Sequence, residues 1–379
     1  MRQIYLDYNA TTPVAPSVFE AMRPLLTEHF GNPSSRHAFG AAAHQIVEEA
    51  RERVAELLGA RSDEIYFTSG GTESNNLAIA GALMSETGFR GHLITSAIEH
   101  PAVSEPAAWL QRMGCSLTVL PTDSLGRVNP ADVKAALRPD TVLVTIMHAN
   151  NEIGTVQPIQ EISQICREAD VMLHTDAAQS LGKIRAQVDE LGVDMLTLAG
   201  HKIYAPKGIG ALYVRRGTQL HPFMRGAGHE QGLRPGTENV ASIAGLAQSA
   251  RLAMRSVEEN TTRLASLTTR LWDTLRDGVR GLSLNGPPTD RLPNTLSVNF
   301  PHVWGQQLLD QAAEVCASTG SACHSGSSTL SATLRAIGLD PETARGTIRL
   351  SLGWNTSEEE IDRAASLLIH AWESLNRAT

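Results

Sequence analysis

Short apolar runs alternate with helical patterns from residue 41 to residue 214, and this alternation constrains the fold more than any other feature. Strand, helix and strand in that order pair in parallel through right-handed crossovers. The patterns predict helices over 41–59, 74–85 and 101–113, and strands over 64–68, 92–96, 116–120, 141–146, 171–175, 195–198 and 209–214. The sequence therefore predicts an α/β protein with a doubly wound, mainly parallel sheet.

The pattern changes near residue 240. A helical pattern over 240–277 is long enough to form a spine between two domains. It is followed by patterns for a strand over 295–300 and for helices near 304–314, 328–336 and 357–376. We expect a large domain of residues 15–257 and a smaller α+β domain built from 1–14 and 258–379.

Composition argues against several classes of partner. The net charge is −8 and no basic block occurs, whereas nucleic-acid binding normally leaves a basic stripe. The amino terminus lacks the apolar core of a signal peptide, and no later stretch has the length of a membrane span. We therefore expect a cytoplasmic enzyme with a small-molecule substrate.

Four cysteines without a close C-x-x-C pair indicate neither a disulfide framework nor a metal site. Cys115, Cys166 and Cys316 occur in apolar patterns, so we expect them to be structural. Cys323 differs because it lies among small polar residues in STGSACHSGSS (318–328). A cysteine in such an open loop can act as a nucleophile, and the adjoining His324 can lower the pKa of its thiol.

Lys202 follows the apolar run predicted as a strand over 195–198, and Asp176, 26 residues earlier, ends another apolar strand in VMLHTDAAQS (171–180). A lysine near the end of a buried strand can lose its proton by desolvation and form a Schiff base, and an aspartate can hold the positive charge of a cofactor ring nitrogen. Together they describe a site for pyridoxal phosphate (PLP). Taken singly, each is more simply a surface lysine or a strand-end aspartate, so this interpretation depends on the rest of the chain.

Other strand ends carry polar residues. The run SGGTESNN (69–76) opens a helix, where backbone amides and the Thr72 hydroxyl can bind a phosphate, although a helix cap explains them equally well. Asn151 follows a strand, where open α/β sheets bind ligands, but it also fits a turn. Gln179 can reach a cofactor ring, and His100 can stack on one or be structural.

Arg349 lies within a short alternating strand, opposite in direction to its apolar neighbours. An arginine in a half-apolar strand needs an anionic partner. A substrate carboxylate gripped by the guanidinium meets this need, and so does a structural salt bridge.

Nine motifs occur together: YLDYNATTP, GGTESNN, EHPAV, HANNEIGTVQPI, HTDAAQS, GHKIYAPKGIGALYVRR, RPGTEN, STGSACHSG and TIRLSLG. In this order and spacing they resemble the cysteine desulfurases of the NifS/IscS type, over about residues 4–375. The resemblance implies the PLP-dependent transferase fold type I of the class V aminotransferase group. It further implies a mainly parallel seven-stranded sheet domain, a smaller α+β domain that carries the Cys323 loop, and a homodimer.

The resemblance implies that L-cysteine becomes L-alanine while its sulfur passes to Cys323 as a persulfide, for delivery to an acceptor protein such as an iron–sulfur scaffold. Lys202 matches the lysine of the Schiff base, and Asp176 the partner of the ring nitrogen. Arg349 and Asn32 match contacts to the substrate carboxylate. The other residues implied at the cofactor are Gly71, Thr72, His100 (also an acid/base candidate), Asn151, Gln179, His201 and, from the neighbouring subunit, Thr237.

The sequence departs from this family's pattern in two places. Many relatives have a serine before Gly-His-Lys, and this chain has Ala199. The residue after the cysteine is His324, and an Ala-Cys-His-Ser run also resembles selenocysteine lyases. A selenocysteine lyase, or another class V enzyme such as an aminotransferase, therefore stays open as an alternative.

Overall fold

The computed structural model describes residues 3–324 and 327–377, with side chains throughout except at 256 and 321–329. Within these ranges, no helix is both long and apolar enough to cross a membrane. The cytoplasmic location stays a prediction.

Strands and helices alternate along the chain. The strands are β1 (Ile4–Tyr5), β2 (Ile65–Thr68), β3 (Met84–Ser85), β4 (Gly88–Phe89), β5 (His92–Ser96), β6 (Ser116–Leu120), β7 (Thr141–Thr145), β8 (Met172–Asp176), β9 (Met195–Ala199), β10 (Gly210–Val214), β11 (Ser283–Leu284), β12 (Thr295–Asn299), β13 (Val315–Cys316), β14 (Ser318–Thr319), β15 (Ser321–His324), β16 (Ser327–Leu330) and β17 (Thr347–Ser351). The helices are α1 (Pro16–Thr27), α2 (Ala38–Leu58), α3 (Gly71–Leu83), α4 (Pro101–Arg112), α5 (Pro130–Ala136), α6 (Ile159–Glu168), α7 (Val188–Leu191), α8 (Val240–Gly278), α9 (Gly305–Gln311), α10 (Ala332–Ala336), α11 (Pro341–Arg345) and α12 (Glu358–Arg377), with short 3-10 turns at Ser62–Glu64, Gly200–Lys202 and Glu230–Gly232.

The main sheet has seven strands in the order β2-β10-β9-β8-β7-β5-β6. Strands β5 to β9 pair in parallel, whereas β10 runs antiparallel to both β2 and β9. Helix packing on both faces buries these strands, which is why they read as continuous apolar runs. The predicted mainly parallel, seven-stranded sheet is confirmed.

A second sheet of four antiparallel strands, in the order β11-β12-β17-β14, has its own apolar core with α12. Helix α8 contributes to both cores. Ile243, Leu246 and Ala250 from its first half pack beneath the main sheet, and Leu264 and Leu271 from its second half pack beneath the second sheet. The domain boundaries given above stay a prediction.

The region after Cys323 differs from its predicted helix over 328–336. Residues 327–330 form β16, which pairs with β15 as a hairpin, and the helix covers only Ala332–Ala336. The reason is local, since the Ser331 hydroxyl accepts a hydrogen bond from Leu334 N at 3.2 Å and so caps the helix at that point.

The expected helix near 304–314 is also shorter, because it ends at Gln311. Cys115 and Cys166 are buried as expected. Cys316 is half-buried, and its Sγ donates to Gln3 Oε1 at 2.6 Å.

Candidate active site

A cavity of about 410 Å³ lies at the edge of the main sheet where the carboxyl ends of β5, β7, β8 and β9 meet. This is where open α/β sheets bind their ligands, and its volume suits a small molecule. The walls of this cavity bring together nine of the residues singled out from the sequence: Gly71, Thr72, His100, Asn151, Asp176, Gln179, His201, Lys202 and Arg349.

Lys202 follows β9 by one tight 3-10 turn. Its Nζ donates to two backbone carbonyl oxygens, Asn9 O at 2.6 Å and Ala10 O at 2.8 Å. Burial, and then the nearby positive charge of Arg349, lower the pKa of Lys202 to about 8, although Asp176 acts in the opposite direction. Lys202 is therefore an amine that can gain or lose its proton near neutral pH.

Asp176 is the last residue of β8 and is buried. Its Oδ2 accepts from Asn75 Nδ2 at 2.7 Å, and its Oδ1 accepts from the backbone N–H of Ala178 at 2.9 Å. These two donors fix the carboxylate plane at the sheet edge. A carboxylate held in this way can accept a hydrogen bond from a protonated ring nitrogen.

His100 caps the amino terminus of α4, because its Nδ1 accepts from the backbone N–H of Ala102 at 3.0 Å. A backbone N–H can only donate, so Nδ1 carries no proton and the neutral ring is protonated at Nε2. Burial lowers the pKa of His100, and Lys202 lowers it further against the opposing effect of Asp176. The imidazole is thus neutral and held at a fixed angle on the cavity wall.

Helix α3 presents its amino terminus to the cavity. Its first N–H groups have no acceptors within the helix and lie at the positive end of the helix dipole. A methyl group on Gly71 would lie 3.2 Å from the Ala199 side chain, so a larger residue here would have to displace this part of β9 by a few tenths of an ångström. His201 also lines the cavity. Its Nδ1 lies 3.1 Å from Thr11 Oγ1, and burial lowers its pKa to about 4.

Arg349 reaches the cavity from β17 of the second sheet. One of its terminal nitrogens donates to Asp7 Oδ1 at 2.7 Å and to Ser318 Oγ at 3.0 Å, and the other donates to Asn151 O at 3.2 Å. Its Nε is buried without a hydrogen-bond partner among the described residues. Arg349 is therefore held in place by a salt bridge and keeps one buried donor for an anion.

Two predicted residues, Asn32 and Thr237, lie outside the cavity. Asn32 is exposed and its Oδ1 accepts from Ser34 N at 2.9 Å, and Thr237 is also exposed, so neither lines the cavity. The backbone of Cys323 lies in β15, but the side chains of Cys323 and His324 lie outside the described part of the chain. The roles predicted for these residues stay predictions.

Several residues that line the cavity or bind its side chains were not predicted individually. Asn9 and Ala10 contribute backbone carbonyls, which any residue possesses, so no side-chain pattern indicates them. Asp7 and Asn75 contribute side chains that hold Arg349 and Asp176. A signal for Asp7 existed, since a half-buried arginine requires a nearby anion.

The donor set fits PLP. A lysine of lowered pKa can attach the cofactor, a buried carboxylate can hold its ring nitrogen, and a helix amino terminus with an added hydroxyl can bind its phosphate. The arrangement can therefore bind an anionic ring system and move a proton beside it.

Comparisons with known proteins agree with this geometry. The aminotransferase class-V family model matches residues 4–364. A protein named cysteine desulfurase IscS from Dictyoglomus turgidum is 47% identical over 378 residues, which cover 99% of this chain and 95% of the relative. Among solved structures, a NifS-like protein has a TM-score of 0.90 at 35% identity, with 99% of this chain and all of the other covered.

A structure described as SspA in complex with cysteine has a TM-score of 0.81 at 40% identity, and the match covers 92% of this chain and 98% of the other. The chain therefore belongs to the aminotransferase class-V family and, within it, to the cysteine desulfurases of the IscS and NifS type.

Proposed function

We propose that this protein is a PLP-dependent cysteine desulfurase, which converts L-cysteine to L-alanine and transfers the sulfur to Cys323. The observation that carries the proposal is the cavity itself. It brings together a lysine whose pKa is lowered to about 8, a carboxylate fixed by two donors, a helix amino terminus, and an arginine whose Nε has no hydrogen-bond partner among the described residues.

Lys202 would attach the cofactor, and Asp176 would hold its ring nitrogen. Gly71 N–H, Thr72 and His201 would hold its phosphate, and Thr237 of a neighbouring subunit would join them. His100 would stack on the ring, while Asn151 and Gln179 would contact its substituent oxygen. When bound, PLP supplies a sink for the electrons released at the substrate's alpha carbon.

Lys202 moves the proton of the alpha carbon in this scheme. A base works best when its pKa lies near the working pH, and burial beside Arg349 brings the pKa of Lys202 to about 8. The two carbonyl oxygens of Asn9 and Ala10 orient its Nζ. His100 Nε2–H is a second proton donor on the same cavity wall.

Arg349 binds the substrate carboxylate. The Asp7 salt bridge and the Ser318 hydroxyl fix the guanidinium plane, and the free Nε–H provides a donor for the incoming anion. Asn32 is a further proposed contact. Because the carboxylate charge is recognised at a fixed position, the sulfur of a bound cysteine has a defined direction from it.

The Cys323 thiolate attacks the substrate sulfur. A sulfur–sulfur bond forms as the carbon–sulfur bond breaks, and the bonding electrons stay on the substrate carbon, which takes up a proton to become the methyl group of alanine. The persulfide then serves an acceptor protein, for which an iron–sulfur scaffold is our proposal. The chain supports this role by its sequence, since Cys323 lies among small polar residues.

We further propose that the enzyme is a homodimer. Phe19, Leu26, Phe30 and Phe39 expose more than half of their surface, and the rings of Phe30 and Phe39 lie 5.6 Å apart. Exposed apolar side chains of this size, two of them in contact, favour burial against another chain. A second copy also agrees with the surface position of Thr237, outside the cavity of its own chain.

The test is to incubate the purified holoenzyme with L-cysteine without added thiol, and to measure alanine and the mass of the Cys323 peptide. One equivalent of alanine with one extra sulfur on Cys323 supports the proposal. The variant C323A should keep its PLP and lose the persulfide, and C166A, at a buried thiol, is the matched control. Alanine from selenocysteine but none from cysteine would instead indicate a selenocysteine lyase.

A further inference from the structure

Lysine is rare in this chain. Only four of its 32 basic residues are lysines, namely Lys134, Lys183, Lys202 and Lys207. Arginine keeps its charge in proteins, whereas a buried lysine can lose its proton. Two of the four, Lys183 and Lys202, hydrogen-bond to the same residue beside the active-site cavity. Half of the lysines of this chain therefore lie together at the cavity, where a side chain that can lose its proton can take part in the site.

Lys183 is buried, with 7% of its surface exposed, and its Nζ donates to Gln179 Oε1 at 2.7 Å and to Asn9 Oδ1 at 3.1 Å. Both acceptors are oxygens of neutral amides, and no salt bridge joins Lys183 to a carboxylate among the described residues. Burial lowers the pKa of Lys183 well below its usual value, and the positive charges of Lys202 and Arg349 act in the same direction.

The number of partners also favours the neutral amine. An ammonium group has three N–H donors, and a buried donor without an acceptor is unfavourable. Among the residues whose side chains are described, Lys183 Nζ has two acceptors, which equals the two N–H groups of an uncharged amine. The number of acceptors and the neighbouring positive charges therefore both favour a neutral Lys183 amine.

Asn9 connects Lys183 to the second sheet and to the cavity. Its Oδ1 accepts from Lys183 and from Asn294 Nδ2 at 3.0 Å, while its Nδ2 donates to Thr295 Oγ1 at 2.8 Å and to Asn151 O at 3.1 Å. All four hydrogen-bonding positions of this buried amide are used. These four hydrogen bonds fix the position of the Asn9 side chain.

The backbone carbonyl of Asn9 faces Lys202. This oxygen accepts from Lys202 Nζ at 2.6 Å and from Gln179 Nε2 at 3.0 Å. The same Gln179 side chain accepts from Lys183 through its Oε1. Lys183 is therefore connected to the Asn9 carbonyl oxygen by two routes, one through the Asn9 side chain and one through Gln179.

We propose that Lys183 is a positioning residue for Lys202: its uncharged amine holds Asn9 and Gln179 as one unit, and this unit fixes the carbonyl to which the free Lys202 amine binds. The inference rests on the proposed function in that Lys202 is taken as the cofactor lysine. An uncharged neighbour is needed because a second buried cation would push the Lys202 pKa further down.

The ionisation of Lys183 is tested directly in the holoenzyme. Enzyme grown with isotope-labelled lysine gives four lysine signals by nuclear magnetic resonance, and K183R identifies the signal of interest by removing it. We expect Lys183 to show the chemical shift of a neutral amine at neutral pH, while exposed Lys134 shows that of an ammonium. A Lys183 signal that is fully protonated at neutral pH would overturn the proposal.

The positioning role is tested with K183M, whose unbranched side chain is one atom shorter than that of lysine and has no donors. We expect kcat for cysteine to fall about tenfold with KM within about twofold, because Lys202 loses its fixed position but Arg349 does not. PLP added to enzyme stripped of cofactor should become attached to Lys202 more slowly, as measured by mass spectrometry after reduction. K183Q, which retains amide donors, should recover part of both rates and replaces K183M if that variant does not fold.

K134M is the matched control and should behave as wild type, because Lys134 is exposed. Wild-type values of kcat and of PLP attachment in folded K183M would overturn the positioning role while leaving the proposed function intact. If the wild-type enzyme itself attached no PLP at Lys202, the proposed function would fail together with this role. The two failures are thus distinguished by the wild-type protein alone.

Discussion

The two walls of the active-site cavity are built differently. On one wall, which we call the sheet wall, Asp176 ends β8 and Lys202 lies in the turn that follows β9, so hydrogen-bonded backbone fixes the position of each residue. On the other, which we call the segment wall, Asn9 and Ala10 of the segment 7–12 contribute carbonyl oxygens, and Asp7 contributes a carboxylate that binds Arg349. The first wall carries the groups that react, and the second sets their position and charge.

The largest expected effect comes from the sheet wall. K202A should lower cysteine turnover by at least about a thousandfold, because it removes both the attachment point and the general base. The measurement is alanine release, with the mass of the reduced protein as a test for bound PLP. K207A is the matched control at the exposed lysine five residues later. Turnover within tenfold of wild type would remove Lys202 from its proposed role.

The next largest effect is expected at Arg349, which reaches the cavity from β17 and forms a salt bridge with Asp7. R349Q should raise the KM for cysteine about a hundredfold, because truncating one partner of a buried charged contact typically costs 2–5 kcal/mol. R349K should recover only part of this loss, since an ammonium cannot donate to Asp7, Ser318 and Asn151 in one plane. An unchanged KM with a lowered kcat would show that Arg349 acts on the reacting centre instead of on the substrate carboxylate.

The two walls also differ in how far the sequence predicted them. The seven strands, the long helix α8 and the residues at the strand ends were predicted, because apolar runs and the polar residues that follow them are visible in one dimension. The helix expected over 328–336 was wrong in its first part, because a run of serine and threonine has no strong preference between a strand and a helix.

The segment wall was missed for a physical reason. Asn9 and Ala10 act on Lys202 through backbone carbonyls, and a backbone carbonyl leaves no trace in a residue pattern. Lys183 resembles an ordinary surface lysine in sequence, and only its burial and its neutral amide partners distinguish it. The scarcity of lysine was the one available signal.

A smaller effect tests the charge of the segment wall. Asp7 raises the pKa of Lys202 and Arg349 lowers it, so the two removals should shift that pKa in opposite directions. In D7N the acidic limb of the kcat profile should move to lower pH, because the Lys202 ammonium loses a stabilising anion. In R349Q it should move to higher pH. Shifts in the same direction in both variants would contradict this account of Lys202.

The smallest expected effect lies on the sheet wall, at the end of β9. The Ala199 side chain adjoins the first residue of α3, within 3.2 Å of the place that a methyl group on Gly71 would occupy. A199S adds one hydroxyl beside the proposed phosphate site, and a single hydrogen bond contributes about 0.5–1.5 kcal/mol. We expect PLP to dissociate about 2- to 12-fold more slowly, measured as cofactor release on dilution. A199V should have the opposite effect, because its bulk enters the contact with Gly71 without adding a donor. Equal release rates in all three proteins would place the phosphate elsewhere, and would leave the amino terminus of α3 as a helix cap alone.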